Sequence, residues 1–267
     1  IPQGIPLVPG TNDGYATAWA VGIDLPGKGF DPGGKTGGLG VAVAAGLHED
    51  AATYGMPSAV AGVYIVGGPV ASHGTILDWW AGIAGRSVQE LVELAEMVEP
   101  GSRGVIALPY LEGERAPRWN RRLRAQLVGL ATDSDVATVT RALLEGTAYG
   151  LAHIAHDLAS QGIQLDRVVS SGGPVRSRLW TTIKASVLEV PFDVPACDEM
   201  AAYGAGLGAG AALDWWPRPG EGRPGDWPGP EMETVYPEPL SVYREGLQRF
   251  IELGDAAQAA LETAGQR

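Results

Sequence analysis

The sequence predicts an α/β fold in which a mixed sheet is flanked by helices. Two features of the residue pattern predict it. Short apolar runs punctuated by glycine and proline, which are typical of strands, come first, and segments with apolar residues at helical spacing then alternate with further strands. The composition agrees with a folded chain, because 45% of the 267 residues are hydrophobic and can form a packed core.

Strands are predicted where short apolar or β-branched runs lie between turn-forming residues. Because glycine and proline interrupt regular structure, each run is expected to end where they occur. The predicted strands are Ile5–Val8, Gly40–Ala45, Val63–Val66, Val105–Leu111, Leu127–Leu130, Arg167–Ser170 and Phe192–Val194.

One helix has the clearest signals, since Asp133, Ser134 and Asp135 can cap a long apolar stripe that reaches residue 159 and Gly162 follows it. The segment Pro217–Pro239 lacks apolar periodicity and is rich in proline and glycine, so it is predicted to be a long surface loop. A C-terminal amphipathic helix is expected over residues 240–264. The other predicted helices are Tyr15–Val21, Ile76–Ile83, Val88–Val98, Ser177–Leu188 and Met200–Asp214.

The charge of the chain argues against two classes of partner. Nineteen basic and thirty-one acidic residues give a formal net charge of −12. A surface of that sign repels phosphate backbones and anionic lipid surfaces, so neither nucleic acid nor a membrane is an expected partner. A small anionic ligand could still be held by local backbone dipoles and a few cations.

Cys197 is the only cysteine, so the chain can form neither an internal disulfide nor a cysteine cage for a metal. This fits a reducing compartment, and a cytoplasmic location is expected. The apolar runs are short and interrupted by glycine, which predicts no membrane span. The chain begins at Ile1 without an initiator methionine, and we expect it to be a fragment or a processed product.

The segment Gly10–Gly14 follows an apolar run and contains Asp13. A carboxylate between a strand and a helix can project into a cleft and accept a proton from a hydroxyl that becomes a nucleophile. Asp is also a favoured helix N-cap, and from this segment alone that simpler role is the preferred interpretation.

The segment Gly29–Thr36 has the spacing of a P-loop, which needs a strand before it and a helix after it. Residues Asp24–Lys28 do not resemble a strand, and Gly37–Gly40 would cost a helix about 1 kcal/mol per glycine. The P-loop interpretation therefore fails. A glycine hairpin remains, in which free N–H groups, the Lys35 ammonium and the Thr36 hydroxyl could hold a polyphosphate, and an ordinary turn is the alternative.

Two further glycine segments are present. Ser170–Pro174 lies between a predicted strand and helix and could admit a flat ligand, or it is a tight turn. Gly204–Gly210 lies inside a predicted helix, where small residues favour close packing rather than dinucleotide binding. The four histidines are His48, His73, His153 and His156. None of them has metal-ligand spacing with a third ligand, so no metal-ligating residue is predicted.

Taken in order, these motifs resemble the C-terminal half of the FGGY carbohydrate kinases, the family of xylulokinase and glycerol kinase. The likeness covers about residues 5–215. The segments that carry it are Gly10–Asp13, Gly34–Gly37, Gly68–Trp79, Leu108–Leu111 with Gly113–Pro117 and Trp119, Arg141–Gly146, Ser171–Gly173 with Ser177 and Trp180, and Ala201–Ala205.

The resemblance implies that residues 1–267 form the nucleotide-binding C-terminal domain, with an actin-like ATPase (ribonuclease H-like) fold. It also implies ATP and Mg²⁺ as cofactors, a sugar substrate, and an N-terminal sugar-binding domain that is absent here, with a homodimer left open. Asp13 would be the general base, and the chain alone is expected to be inactive. The outer phosphates would lie on Gly34, Lys35, Thr36 and Gly37, and the adenosine would be bordered by Gly74, Gly173, Pro174 and Ser177.

Two residues depart from the family pattern. Lys35 stands where a threonine is usual, and Pro174 replaces a glycine. The prediction is an ATP-dependent kinase of a ketose or polyol, with xylulose preferred. The alternatives are a non-catalytic actin-like nucleotide-binding module and, more remotely, a P-loop NTPase through Gly29–Thr36.

Overall fold

A seven-stranded mixed sheet forms the centre of the protein in a computed structural model that describes residues 3–23, 25–44, 54–58, 60, 62–197, 199–218 and 229–265. The strand order is β3-β4-β2-β1-β7-β8-β9, and β5 and β6 form a separate pair. The strands are β1 (Lys28–Asp31), β2 (Gly38–Ala44), β3 (Tyr54–Pro57), β4 (Val63–Pro69), β5 (Ile106–Leu108), β6 (Gln126–Val128), β7 (Arg167–Ser170), β8 (Phe192–Pro195) and β9 (Met232–Val235).

The helices are distributed over both faces of this sheet. Alternate residues of each strand point to opposite faces, so Val41 of β2 packs with one set of helices and Ala42 with another. The helices are α1 (Asp13–Ala20), α2 (Gly74–Ala84), α3 (Val88–Glu96), α4 (Val136–Ser160), α5 (Arg178–Leu188), α6 (Met200–Ala212) and α7 (Ser241–Gly265).

On one face, α4 and α5 cover the sheet. Leu151 and Ile154 of α4 are fully buried there and pack with Val41 and Val168. On the other face lie α1 and α6, whose Ala18 and Leu207 pack with Ala42. Both faces are therefore buried, as the near-continuous apolar sequence of β2 requires.

Four strand predictions need correction. Ile5–Val8 forms no strand: the run has no hydrogen-bonded neighbour among the described residues, and Leu7 is 89% exposed. Strands β1 and β3 form where none was expected, because a four-residue strand is stabilised by its neighbours rather than by its own pattern. The predicted loop Pro217–Pro239 contains β9, which pairs with β8, and its residues 219–228 lie outside the described part.

The helix predictions agree more closely with the structure. Asp135 caps α4 by accepting a hydrogen bond from the Thr138 N–H at 2.8 Å, and Ser177 caps α5 in the same way through the Trp180 N–H at 3.1 Å. The helix expected over residues 240–264 is α7. Among the described residues, no helix combines the length and apolarity that a bilayer crossing needs.

Candidate active site

The topology brings the ends of four strands to one edge of the sheet. Strand β1 is parallel to β7, and their last residues, Asp31 and Ser170, lie side by side. Strand β2 runs the other way and begins at Gly38, which is opposite Pro69 at the end of β4. The chain segments that leave these strand ends are therefore neighbours, although they are far apart in the sequence.

The first of these segments is a tight turn between β1 and β2, residues 33–37, which we call the hairpin. Gly33, Gly34 and Gly37 have φ angles of 59°, 80° and 59°, which other residues rarely adopt. Gly34, Lys35 and Thr36 are exposed at the tip. A Cβ added to Gly34 would meet no described atom within 4 Å, so a ligand can approach the backbone there.

The N-terminal end of α2 is held directly against this hairpin. The backbone N–H groups of His73 and Thr75 donate to the Lys35 carbonyl at 2.9 and 3.1 Å, and that of Gly74 donates to the Gly34 carbonyl at 3.1 Å. A Cβ on Gly74 would lie 2.7 Å from the Gly34 oxygen, which explains why glycine is needed. The first N–H groups of α2 are thus used to shape the hairpin.

The loop after β7 lies against the hairpin from the other side. A Cβ on Gly172, whose φ is 76°, would lie 3.0 Å from the Pro32 carbonyl oxygen and 3.2 Å from the Gly34 nitrogen. Gly173 is exposed, and a Cβ there would meet no described atom within 4 Å. Pro174 belongs to the short 3-10 turn Gly173–Arg176 that leads to Ser177 and α5.

Asp13 occupies the first turn of α1 and is exposed. It is not the N-cap: Asn12 has that role and accepts a hydrogen bond from the Tyr15 N–H at 2.9 Å. The Asp13 carboxylate accepts only from the adjacent Gly14 N–H, at 2.8 Å, among the bonds of the described residues. The side chain is therefore not needed to start the helix and remains accessible from solvent.

Beneath the hairpin lies a buried ion pair that the sequence analysis did not predict. Asp31 and Lys184 are 0% and 1% exposed, and Nζ lies 2.6 Å from Oδ2. Burial opposes the charged form of Asp31, but the Lys184 ammonium and a hydrogen bond from the Gly33 N–H outweigh it, and the pKa of this carboxyl lies below its ordinary value. The signal in the sequence is a lysine at the apolar helical spacing set by Trp180, Ile183 and Val187.

His73, the residue before α2, completes the buried floor of the hairpin. Its ring stacks on Trp180 with the centroids 4.9 Å apart, and it is 0% exposed. Burial and the nearby Lys184 ammonium lower the pKa of His73 to about 3, so the imidazole is neutral. Neither ring nitrogen has a hydrogen-bond partner among the described residues.

The structure also settles two motif interpretations. The hairpin is followed by β2 rather than a helix, so Gly29–Thr36 is not a P-loop, although β1 occupies the first part of the motif. Three glycines of α6 pack closely, as expected, with Gly204 against Ala16 of α1, Gly208 against Trp19 and Gly210 against Trp216. Within the described residues, no group of three or more His, Cys, Asp or Glu side chains could hold a metal ion.

The arrangement is suited to binding an anion. Gly34, Lys35, Thr36 and Gly173 are exposed, so backbone, a hydroxyl and an ammonium lie at an open surface, whereas Asp31 is enclosed beneath them. Gly34, Lys35, Thr36, Gly37, Gly74 and the turn that holds Gly173 and Pro174 lie together, and Ser177 begins the next helix.

Comparisons with known proteins give a consistent result. The model of the FGGY family of carbohydrate kinases, C-terminal domain, matches residues 38–213. The gluconokinase of Bacillus subtilis is 32% identical in an alignment of 167 positions, which covers 57% of this chain and 33% of that enzyme.

Solved structures agree over a longer stretch. A xyloylose kinase from Brucella ovis superposes with a TM-score of 0.83 at 31% identity, covering 93% of this chain and 51% of that one. A xylulose kinase from Rhodospirillum rubrum does so with a TM-score of 0.82 at 29% identity, covering 100% and 54%. The fold is the expected actin-like ATPase fold, and the chain spans about half the length of these kinases.

Proposed function

The chain belongs to the FGGY family of carbohydrate kinases, and from this membership we propose that it supplies the ATP site and the catalytic base of an enzyme that phosphorylates a sugar or polyol hydroxyl. The observation that carries the proposal is the convergence of three glycine segments, at Gly34, Gly74 and Gly172, on one open edge of the sheet. These segments are separated by tens of residues, and the backbone at Gly34 and at Gly173, next to Gly172, is exposed with open space beside it.

ATP would bind with its outer phosphates on the hairpin and its adenosine toward the turn after β7. Backbone N–H groups of Gly34 to Gly37, with the Lys35 ammonium and the Thr36 hydroxyl, would stabilise the phosphate oxygens. Gly74, Gly173, Pro174 and Ser177 would border the nucleoside. The exposed tip offers no carboxylate, so Mg²⁺ would be held mainly through the phosphates, whose charge it neutralises when bound.

Asp13 would accept the proton of the attacking sugar hydroxyl. Its exposure and its freedom from a capping role support this assignment, since a base must reach the substrate. The chain order supports it too. The C-terminal end of α1 leads by a short connection to the start of β1, so a helix packed along the sheet would direct its N-terminal end toward the edge where β1 ends.

The substrate is proposed from the relatives alone. Those matched include a gluconokinase, a xylulose kinase and a glycerol kinase, so we assign a ketose or polyol and prefer xylulose because of the solved structures. Since the chain spans about half the length of the solved kinases, we propose that a second lobe completes the sugar pocket and that the chain alone is inactive. A homodimer remains compatible with this arrangement.

The test uses a two-lobed protein that carries this chain, with Asp13→Asn as the variant and Asp133→Asn, at an exposed loop position, as the control. ADP release is measured with a panel of pentuloses, hexuloses and polyols, together with the Kd for ATP. Loss of the base should lower kcat by about 10²–10⁴-fold while the Kd changes less than about twofold. Unchanged kcat in Asp13→Asn contradicts its role, and ATP binding without phosphorylation of any sugar favours the non-catalytic module.

A further inference from the structure

The buried pair of Asp31 and Lys184 is not explained by stability alone. Removing two charges from water is costly, and replacing a buried ion pair by apolar residues is often neutral or even stabilising. Asp31 nevertheless lies at 0% exposure at the end of a central strand, with Lys184 at 1%. A carboxylate retained in such a place indicates that something nearby depends on its oxygen atoms.

Those oxygens connect the two loops of the candidate site. Oδ1 accepts from the Gly33 N–H at 2.9 Å, at the start of the hairpin. Oδ2 accepts from the Ser170 hydroxyl at 2.8 Å, at the end of β7, and the Asp31 backbone carbonyl accepts from the Ser171 N–H at 3.0 Å. One residue therefore sets the position of the hairpin relative to the loop that contains Gly172.

Lys184 fixes the carboxylate and brings a third element into the same cluster. Its Nζ donates to Oδ2 at 2.6 Å and lies 5.1 Å from the centroid of the Trp180 ring. Trp180 stacks on His73, which directly precedes the N-terminus of α2. The pair thus links α5, β1 and β7, and through Trp180 it contacts the segment that shapes the hairpin.

We propose that Asp31 and Lys184 form a positioning pair for the nucleotide. Lys184 orients the Asp31 carboxylate. Asp31 in turn holds the hairpin and the loop after β7 at the separation at which their N–H groups bind the phosphates of ATP. The inference rests on the proposed function and adds residues that touch neither ATP nor sugar. It distinguishes this pair from a second buried ion pair, Arg141–Glu145, whose side chains are 5% and 1% exposed and 2.9 Å apart within α4.

That second pair provides a matched control. Arg141 donates to Glu145, to the Val98 carbonyl and to the Tyr243 hydroxyl, and Glu145 accepts from the Gly101 N–H and the Ser102 hydroxyl. None of these partners belongs to the hairpin or to the loop after β7. Lys184→Met and Arg141→Met each leave a buried carboxylate without its cation, so both are expected to lower the midpoint of urea unfolding.

The two-lobed protein carrying this chain is assayed for kcat, KM for ATP and KM for the sugar, well below the unfolding midpoint of each variant. Lys184→Met should raise KM for ATP by tenfold or more and change KM for the sugar by less than twofold. Arg141→Met should leave both constants within twofold of the wild type. A folded Lys184→Met protein with unchanged KM for ATP overturns the inference, and so does an equal rise in Arg141→Met.

A double variant keeps the test decisive if Lys184→Met does not fold. Asp31→Asn with Lys184→Met leaves no buried charge at the site, but the amide has one oxygen where the carboxylate uses two, for Gly33 and Ser170. KM for ATP should still rise at least fivefold, and an unchanged value overturns the inference. Failure of the proposed function is distinguishable, because it appears in the wild type, which would then phosphorylate no sugar.

Discussion

The sharpest stability prediction concerns two glycines of the same helix, Gly204 and Gly206 of α6. A Cβ on Gly204 would lie 1.8 Å from the backbone oxygen of Ala16 and 2.5 Å from its carbonyl carbon. A Cβ on Gly206 would meet no described atom within 4 Å, and this residue is exposed. Gly204→Ala and Gly206→Ala are therefore the same chemical change in the same helix, but the new methyl group meets the backbone of α1 only at position 204.

The obstacle at Gly204 is backbone, which no side-chain rotation can move. Restoring ordinary contact requires the Cβ–oxygen distance to grow from 1.8 Å to at least 3.4 Å, so α1 must shift away from α6. Overpacking of this kind costs about 1–3 kcal/mol, against a gain of about 1 kcal/mol from replacing glycine by alanine in a helix. Gly204→Ala should therefore lower the free energy of unfolding by up to about 2 kcal/mol, and Gly206→Ala should raise it by up to about 1 kcal/mol.

Urea unfolding of both variants and the wild type, followed by circular dichroism, measures these differences. The reasoning is refuted if Gly204→Ala is as stable as Gly206→Ala, because the helices would then not be in contact at Ala16. Since α1 carries Asp13, the same shift should also lower kcat in the two-lobed protein. The Kd for ATP should change less, because the hydrogen bonds that hold the hairpin come from the start of α2 and from Asp31, whereas Gly204 faces α1.

Two further predictions concern Glu114 and Lys35. Burial raises the pKa of Glu114 to about 7, above the ordinary 4.5, even though N–H groups of Arg115 and Ala71 oppose the rise. As the pH rises, the unfolded chain loses this proton before the folded chain does. Glu114 should therefore lower the free energy of unfolding progressively between pH 4.5 and 7, by about 3 kcal/mol in all. In urea titrations at pH 5 and 8, Glu114→Gln should remove that pH-dependent loss, and the control Glu112→Gln, at an exposed position, should not. Lys35→Thr should weaken ATP binding by less than about fivefold, since the ammonium is exposed, and a loss of a hundredfold or more in a calorimetric titration would contradict this small contribution of the ammonium.

Much of the candidate site could be predicted from local sequence. Ser177 and Asp135 are recognisable helix caps because a polar side chain before an apolar helical stripe satisfies free N–H groups, and both act in this way. The glycine segments are recognisable because positive φ angles and close backbone approach require residues without a Cβ. The assignment of their roles, Asp13 included, came from the family resemblance and stays a prediction.

Other features depend on neighbours that a single segment does not reveal. Strand β1 has four residues and no distinctive pattern, and it is a strand because β2 and β7 pair with it on either side. Ile5–Val8 has the apolar pattern of a strand but no described partner, and it remains irregular and exposed. A strand exists only in a sheet, so its prediction needs contacts between distant residues.

By itself, the sequence determined the mixed α/β class, the long α4 helix with its cap, and the positions at which glycine permits a ligand to approach the backbone. Each of these depends on interactions within one or two turns of chain. Only the tertiary structure decided that Asp31 and Lys184, which are 153 residues apart, meet beneath the hairpin. That meeting depends on the parallel pairing of β1 with β7 and the packing of α5 over them, because a buried charge is stable only where the fold brings its partner.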